Sequence, residues 1–341
     1  MIEIRCRARC AIGVGVPLLL SLAGCTAEPT KSSDLSGRIA FSRGLGPTAK
    51  IHLMRPDGSD VRQLRTSGDG EDYPAWSPDG RMIAFRRIFD TLALAGTSIG
   101  IYTMSDDGSL VTRVFLPVNY SDSPPHTIGD PHHPTWSPDG SRLAFASNHE
   151  GFVVLGPPTT RWYRPTRIYT VKLDGSEITA TNPVVDSLML PDWYPAWSPD
   201  GSMIAFASVR AFSWIRAPGA NDDIYVMNPD GTGVVRLTDS PIEETWPAWS
   251  PDGRHLAFER KFDADSAHIC LMNADGTAIV QLTHGLGHNF HPSWSPDGTR
   301  ITFASDRDGN WEIYVINADG TGLTRLTNDP RDDMLPAWAP R

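Results

Sequence analysis

Cysteine is scarce in this chain: four residues in 341, at positions 6, 10, 25 and 270. The first two precede residue 25, so a domain that starts later keeps too few thiols for an internal disulfide and must be stabilised by packing. Long apolar runs are also missing. One run, residues 11–23, stands out, and it is too short to cross a bilayer as a helix. Neither a phosphate-binding P-loop nor a dinucleotide-binding glycine motif is present. Charged residues make up 21% and the net charge is -10, an acidity that argues against nucleic acids and anionic lipid surfaces as partners. Helix formers do not dominate, whereas Gly (30), Pro (29) and Trp (11) are abundant, which suits many short strands separated by turns.

The first residues read as a targeting segment. Arg5, Arg7 and Arg9 precede the apolar run, the arrangement of an export signal that is removed. The run ends LAGC at 22–25, which resembles a lipoprotein cleavage box. Lipidation of Cys25 is therefore expected, with residues 1–24 as signal and 25–36 as a polar tether. Acyl chains contribute about 0.8 kcal/mol per buried CH₂, so two or more hold a protein to a membrane. Removing the signal takes away a surplus of two positive charges and leaves a more acidic chain. Cys270, within an apolar strand, reads as an inert buried thiol.

Internal repetition dominates the rest. PAWSPDG at 74–80 recurs as PTWSPDG at 134–140, PAWSPDG at 195–201 and 247–253, PSWSPDG at 292–298, and in shortened form as PAWAP at 336–340. Each full copy is followed by an apolar triplet ending in Phe85, Phe145, Phe206, Phe258 or Phe303. A sixth triplet ending in Phe41 stands alone near the start. A third strand of the type IYVM follows in every unit, then an Asp-Gly or related turn at Gly58, Gly108, Gly175, Gly231, Gly276 and Gly320, then a short fourth strand such as VRLT at 235–238. Gly accepts the positive φ that such hairpin turns demand. Four antiparallel strands repeated six times predict an all-β, six-bladed β-propeller over residues 37–341. The chain opens on a second strand and stops on a first. A strand at about 38–43 should therefore pair with one at about 336–340 and close the ring, leaving no free edge.

The pattern WSPDG…IAF…IYVMN-x-DG…RLT resembles the WD40-like PD40 repeat and the propeller of the TolB family, over residues 37–341. The resemblance implies a propeller and an extracytoplasmic compartment more firmly than a Tol–Pal role. TolB proteins carry a small α/β domain before the propeller and are soluble, whereas here a signal and tether precede Gly37.

Strand order assigns the working face. Turns from first to second and from third to fourth strand are short and nearly uniform; the second-to-third and fourth-to-first connections carry the length variation and emerge together on the opposite face. Length variation on one face marks a binding surface. Five tryptophans outside the repeated core position (162, 193, 214, 246, 311) lie in or beside these connections. Trp162, Tyr163, Trp193, Tyr194, Trp214, Trp246 and Phe290 are the expected partner-binding rim. Asp72, Asp130, His132, His133 and His291, just before each PxW, should surround the mouth of the central channel, and His132, His133 and His291 there form a candidate divalent-metal site.

Other strings carry less. HGLGHNFH at 284–291 lies on a glycine-containing loop, so helical ligand spacing does not apply. DRDGN at 306–310 resembles the start of a calcium loop but lacks the downstream acid and fits a hairpin. GTSIG at 96–100 matches a nucleophile elbow, yet it runs directly into a strand, where the strand-to-helix turn of that elbow cannot form. No appended hydrolase domain is expected before the end at Arg341. The expected function is thus a non-catalytic, membrane-tethered, monomeric scaffold on the outer side of a bacterial membrane, in the periplasm or at the cell surface, docking an envelope protein or polysaccharide. The competing reading is a metal-dependent, lyase-like carbohydrate enzyme or sugar-binding protein with a His/Asp site at the channel mouth.

Overall fold

A computed structural model describes residues 37–44, 46–64, 70–91, 96–117, 130–149, 153–155, 161–163, 166–181, 191–209, 221–263 and 265–340. Cys25, the signal, the tether and Trp214 lie outside them. Among the described residues no helix is long and apolar enough to cross a membrane.

The structure is an all-β propeller of four-stranded antiparallel blades. One composite sheet runs in the order Asp333–Trp338, Ile39–Arg43, Lys50–Met54, Arg62–Gln63, so the two ends of the domain share a blade. The closing register pairs Ile39 with Trp338 and Arg43 with Asp333. The closing strand thus begins three residues earlier than the repeat pattern predicts. Three further sheets each run from a first strand outward: Gly70–Trp76 to Thr112–Phe115, His132–Trp136 to Thr179–Ala180, and Asp192–Trp197 to Val235–Arg236.

The six four-stranded blades expected from the repeats do not all appear as separate sheets. Ser266 and Ala267 pair in parallel with Gly287 and His288, and this fuses the sets Glu244–Trp249 to Val280–Gln281 and Gly287–Trp294 to Thr324–Arg325 into one eight-stranded sheet. Gly287 has φ +92, and a Cβ there would meet the Arg307 backbone at 3.1 Å, so a residue without a side chain permits the close approach of the 306–307 turn.

The core lies between consecutive sets of strands. Phe41, Phe85, Phe145, Phe206, Phe258 and Phe303 are fully buried, each worth about 2–3 kcal/mol of burial. Phe85 packs with Ile51, Leu53 and Trp76 across one seam; Phe258 packs with Ala205, Ile224 and Val226 across another. The repeated tryptophans stitch the seams. Trp136 Nε1 donates to Ala75 O at 3.0 Å, and Trp76, Trp249 and Trp294 donate likewise to Ala337, Ala196 and Ala248 of the preceding set. In the SPDG turn, Ser77 Oγ donates to Asp79 Oδ1 at 2.6 Å and accepts from Met82 N, and the same pairing recurs at Ser137, Ser198, Ser250 and Ser295. These bonds hold the Asp139, Asp200 and Asp297 carboxyls low, at about 2, so the repeated carboxylates are structural.

The turn before the fourth strand abuts the neighbouring set at Gly58, Gly175, Gly231, Gly276 and Gly320. At Gly58 (φ +82) a Cβ would sit 2.5 Å from Leu326 O, across the seam that joins the two ends of the domain. At Gly46 (φ +55) a Cβ would meet nothing within 4 Å. Gly46→Ala is therefore expected to cost about 1 kcal/mol for its backbone conformation alone, and Gly58→Ala more than about 2 kcal/mol because the seam must also open. Urea midpoints of the two variants, compared with the parent, check this ordering.

Candidate functional site at the channel mouth

Every innermost strand contains a proline near its middle, and proline has no N–H for the ladder. The pairing register shifts at each of these points, between Asp72 and Ala75, His132 and Thr135, Trp193 and Ala196, Thr245 and Ala248, Phe290 and Ser293, and opposite Met334 and Ala337. The residue before the proline takes positive φ in all six: Tyr73 (+54), His133 (+56), Tyr194 (+56), Trp246 (+55), His291 (+56) and Leu335 (+58). Such bulges re-aim a side chain. Here they bring aromatic and imidazole rings together at one end of a cavity of about 600 Å³, lined along its length by the innermost strands.

These rings form a plug and not a rim. Tyr194 stacks on Trp246 at 4.0 Å, Trp246 meets His291 at 4.8 Å, and His133 stands near-perpendicular to Tyr194 and Trp246, both at 4.6 Å, and to Tyr73 at 4.1 Å. Trp193 and Phe290 lie one residue earlier. Trp193 approaches His132 at 5.6 Å, and Phe290 bridges Trp246 at 5.6 Å to Trp311 at 4.7 Å. Trp162 and Tyr163 belong to a short hairpin, Val153–Leu155 with Arg161–Tyr163, and only their backbone is described.

Asp72 and Asp130 share one cation. Arg86 Nε and Nη2 donate to the two oxygens of Asp72 at 2.7 and 2.6 Å, and Nη1 donates to Asp130 at 3.1 Å. Burial pulls the Asp72 carboxyl up while the Arg86 fork pulls it back. The guanidinium also lies over the Tyr73 ring at 4.7 Å. Arg86 was not among the expected site residues, although its slot was readable: it follows an IAF triplet and pairs directly with Asp72 across the strands.

A second group, also missed, surrounds Tyr194. Glu259, held by Thr245 Oγ1 at 3.0 Å, is pushed up to about 7 by burial, with Glu243 adding repulsion. Asp222 reaches about 7 for the same reasons. The Tyr194 phenol rises through burial, Tyr73 and the charges of Glu259, Asp222 and Glu243. These acids come from connections whose sequence shows no shared pattern.

The three histidines do not converge on a point. His132 Nδ1 bonds Asp130 O at 2.9 Å, His133 has rings around it, and His291 packs on Trp246. Among the described residues no group of three His, Cys, Asp or Glu side chains is arranged to hold a metal. The loop string also disperses: His284 is exposed, and His288 Nδ1 lies 3.2 Å from Asp306. Asp306, Asp308 and Asn310 are engaged with His288, Tyr314 and backbone carbonyls respectively, as a hairpin requires. Gly96–Ser105 is one continuous strand, so Ser98 sits on no elbow. Cys270 is buried, and burial pushes its thiol up to about 12, as an inert thiol requires.

Burial holds His291 at about 4, against 6.5 for a free imidazole. Its contribution to stability is present above pH 6.5 and lost as pH falls toward 4. Asp222 and Glu259 act in the opposite sense, with contributions present below about pH 4 and lost as pH rises through 7. His291→Gln should flatten the acid-side fall in thermal midpoint. Asp222→Asn should stabilise the protein at pH 7.5 by roughly 2 kcal/mol and leave it little changed at pH 4. Thermal unfolding from pH 4 to 8 tests both.

The comparisons with known proteins agree with this architecture. Residues 247–341 match the PD40 family, described as the TolB beta propeller domain. The uncharacterized protein Atu1656 of Agrobacterium fabrum is 29% identical over 234 residues, 68% of this chain and 67% of that protein. TolB from Acinetobacter baumannii superposes with a TM-score of 0.67 at 20% identity, covering 90% of this chain and 68% of that one. A TolB candidate from Agrobacterium tumefaciens gives a TM-score of 0.60 at 20% identity over 90% and 100% of the two chains. Residues 247–341 thus carry the PD40 match, and the chain shares the propeller fold of the TolB structures.

Proposed function

We propose that this protein is a non-catalytic, extracytoplasmic binding scaffold: a six-bladed propeller, counting the halves of the eight-stranded sheet separately, tethered to a membrane through lipidated Cys25. It docks an envelope protein or polymer on the face where the long connections meet the channel. The observation that carries this reading is the convergence of bulged aromatic positions, Tyr73, Tyr194 and Trp246, at that end of the channel. Aromatic side chains contribute strongly to recognition, since they bury large area with few rotatable bonds. The polar groups beside them are held in place by their own partners, Asp72 and Asp130 by Arg86, and Glu259 by Thr245. TolB-like relatives support a compartment outside the cytoplasm, in line with the export signal read at residues 1–24.

Photo-crosslinking in intact envelopes tests the docking face. A photoreactive phenylalanine at Trp193 or Phe290 should give discrete adducts, and one at the exposed Val235 or Val280 of the outer strands should not. Adducts confined to the outer positions would overturn the assignment. The competing enzyme reading is decided by elemental analysis of the purified chain. Near-stoichiometric zinc, manganese or calcium, lost when His132, His133 and His291 are replaced together, would favour it over a scaffold.

A further inference from the structure

The tryptophan stitches do not run round the whole ring. Trp76, Trp136, Trp249 and Trp294 each donate an indole N–H to the carbonyl of an alanine in the preceding set: Ala337, Ala75, Ala196 and Ala248. Trp197 and Trp338 do not. Their Nε1 atoms are buried and have no hydrogen-bond partner. A buried indole N–H ordinarily finds one. The residue in the acceptor position is alanine in the four stitched seams and Thr135 or Ser293 in the other two. The four alanines pack on the core of the next set, so this side chain sits in the seam. A hydroxyl-bearing side chain there is larger and polar, and it displaces the bond. At Ser293 the replacement is visible: its carbonyl accepts from Thr302 Oγ1 at 3.2 Å, and its hydroxyl from Trp338 N at 3.0 Å. Thr302 is itself a departure, since the other five apolar triplets carry alanine in its place.

The two exceptions are three seams apart, on opposite sides of the ring. They divide the strands into two groups, each tied together internally. In one, Trp76 and Trp136 join the composite sheet to its two successors, and Arg86 reaches across to Asp130. In the other, Trp249 and Trp294 make the joins, Asn289 Nδ2 donates to Ala267 O at 2.7 Å, and the parallel bridge fuses two of the sets. At the plugged end both exceptional seams keep a backbone bond, Asp192 N to Thr166 O at 2.9 Å and Asp333 N to Trp311 O at 2.8 Å. The missing bonds lie beyond the proline, toward the SPDG turns. The plug crosses the divide, with His133 of one group against Tyr194 and Trp246 of the other, through ring contacts that tolerate sliding.

We infer that the propeller is articulated. Two rigid halves hinge at the plugged end and part along the Thr135–Trp197 and Ser293–Trp338 seams, so that the SPDG end of the channel widens and narrows.

Two measurements on the full-length chain in detergent test the inference. In the first, hydrogen exchange of the indole N–H groups is followed by NMR with isotope-labelled tryptophan. The Trp197 and Trp338 nitrogens are buried, so their exchange requires the seam to open. They should exchange about ten-fold faster than the indoles of Trp76, Trp136, Trp249 and Trp294. Thr135→Ala should slow Trp197 to the rate of the stitched indoles and leave Trp338 unchanged. Uniform exchange among the six, or a Trp197 rate unmoved in a folded Thr135→Ala variant, overturns the inference. In the second, nitroxide labels are placed by cysteine substitution at exposed positions after the SPDG turns, and distances are measured by pulsed electron resonance. Arg81 and Arg254 lie in opposite halves, whereas Ser202 and Thr299 lie in the same half. The distance distribution across the halves should be about two-fold broader than that within one half. It should narrow when Thr135→Ala, Ser293→Ala and Thr302→Ala are combined, which gives every seam the alanines of the stitched ones. Equal widths for the two label pairs overturn the articulation even if the alanine variants do not fold.

Discussion

The geometry of the channel depends on one missing N–H per blade. A proline in mid-strand cannot complete the ladder, and in each innermost strand the chain answers by slipping one register position. The preceding residue is driven to positive φ, a conformation costing of order 1–3 kcal/mol for a side-chain-bearing residue. That strain is repeated around the ring and persists because the strand on either side is pinned. Two residues beyond the proline, the tryptophan donates to the neighbouring blade at four of the seams. The same short segment therefore closes the channel at one end and joins the blades just beyond it.

Buried charge separates the frame from the site. Two residues before five of the six bulged positions lies a fully buried polar side chain: Glu71, Asp192, Glu244, Asn289 and Asp333. Arginines reach several of them, with Arg87 on Glu71, Arg260 on Glu244, Arg43 on Asp333 and Arg307 on Asn289. Such pairs contribute little net stability over an apolar substitute, but removing one partner strands the other. Their recurrence at one level of the sheets, the His132–Trp136 sheet excepted, makes them part of the frame. The acids near Tyr194 differ, since Glu259 and Asp222 have no arginine fork and both sit near 7.

Much of this was legible in the repeats. The triplets located the buried phenylalanines, and the truncated copy at 336–340 pointed to a closing strand that indeed pairs Ile39 with Trp338. The fused sheet was not legible, because it turns on a two-residue parallel bridge at Gly287 that no periodicity encodes. The site was half legible. Position before PxW identified His133 and His291, and the aromatic rim included Tyr194 and Trp246, but residues read in a row do not reveal a bulge, so a ring around an open mouth was expected where the side chains meet across it. Consecutive strand residues point to opposite faces. His132 and His133 nevertheless approach to 4.5 Å because the slip intervenes between them. Arg86 and Glu259 occupy matching slots on the second strands of different blades with opposite charge, so the repeat locates the slot and says nothing of its chemistry.

The two ends of the channel differ in what they have left to offer. At the SPDG end each serine–aspartate pair satisfies itself and the adjoining backbone, and the carboxylates are drawn low by those bonds. A ligand there would have to break matched interactions to make new ones. At the plugged end the imidazole of His133 lacks partners, the neighbouring acids repel one another, and the backbone beneath is strained at every blade. Binding gains most where the free protein leaves groups unmatched. The variable connections leave and re-enter the sheets on this side, so the length differences between blades, which have no role in closing the ring, fall where a partner could make use of them.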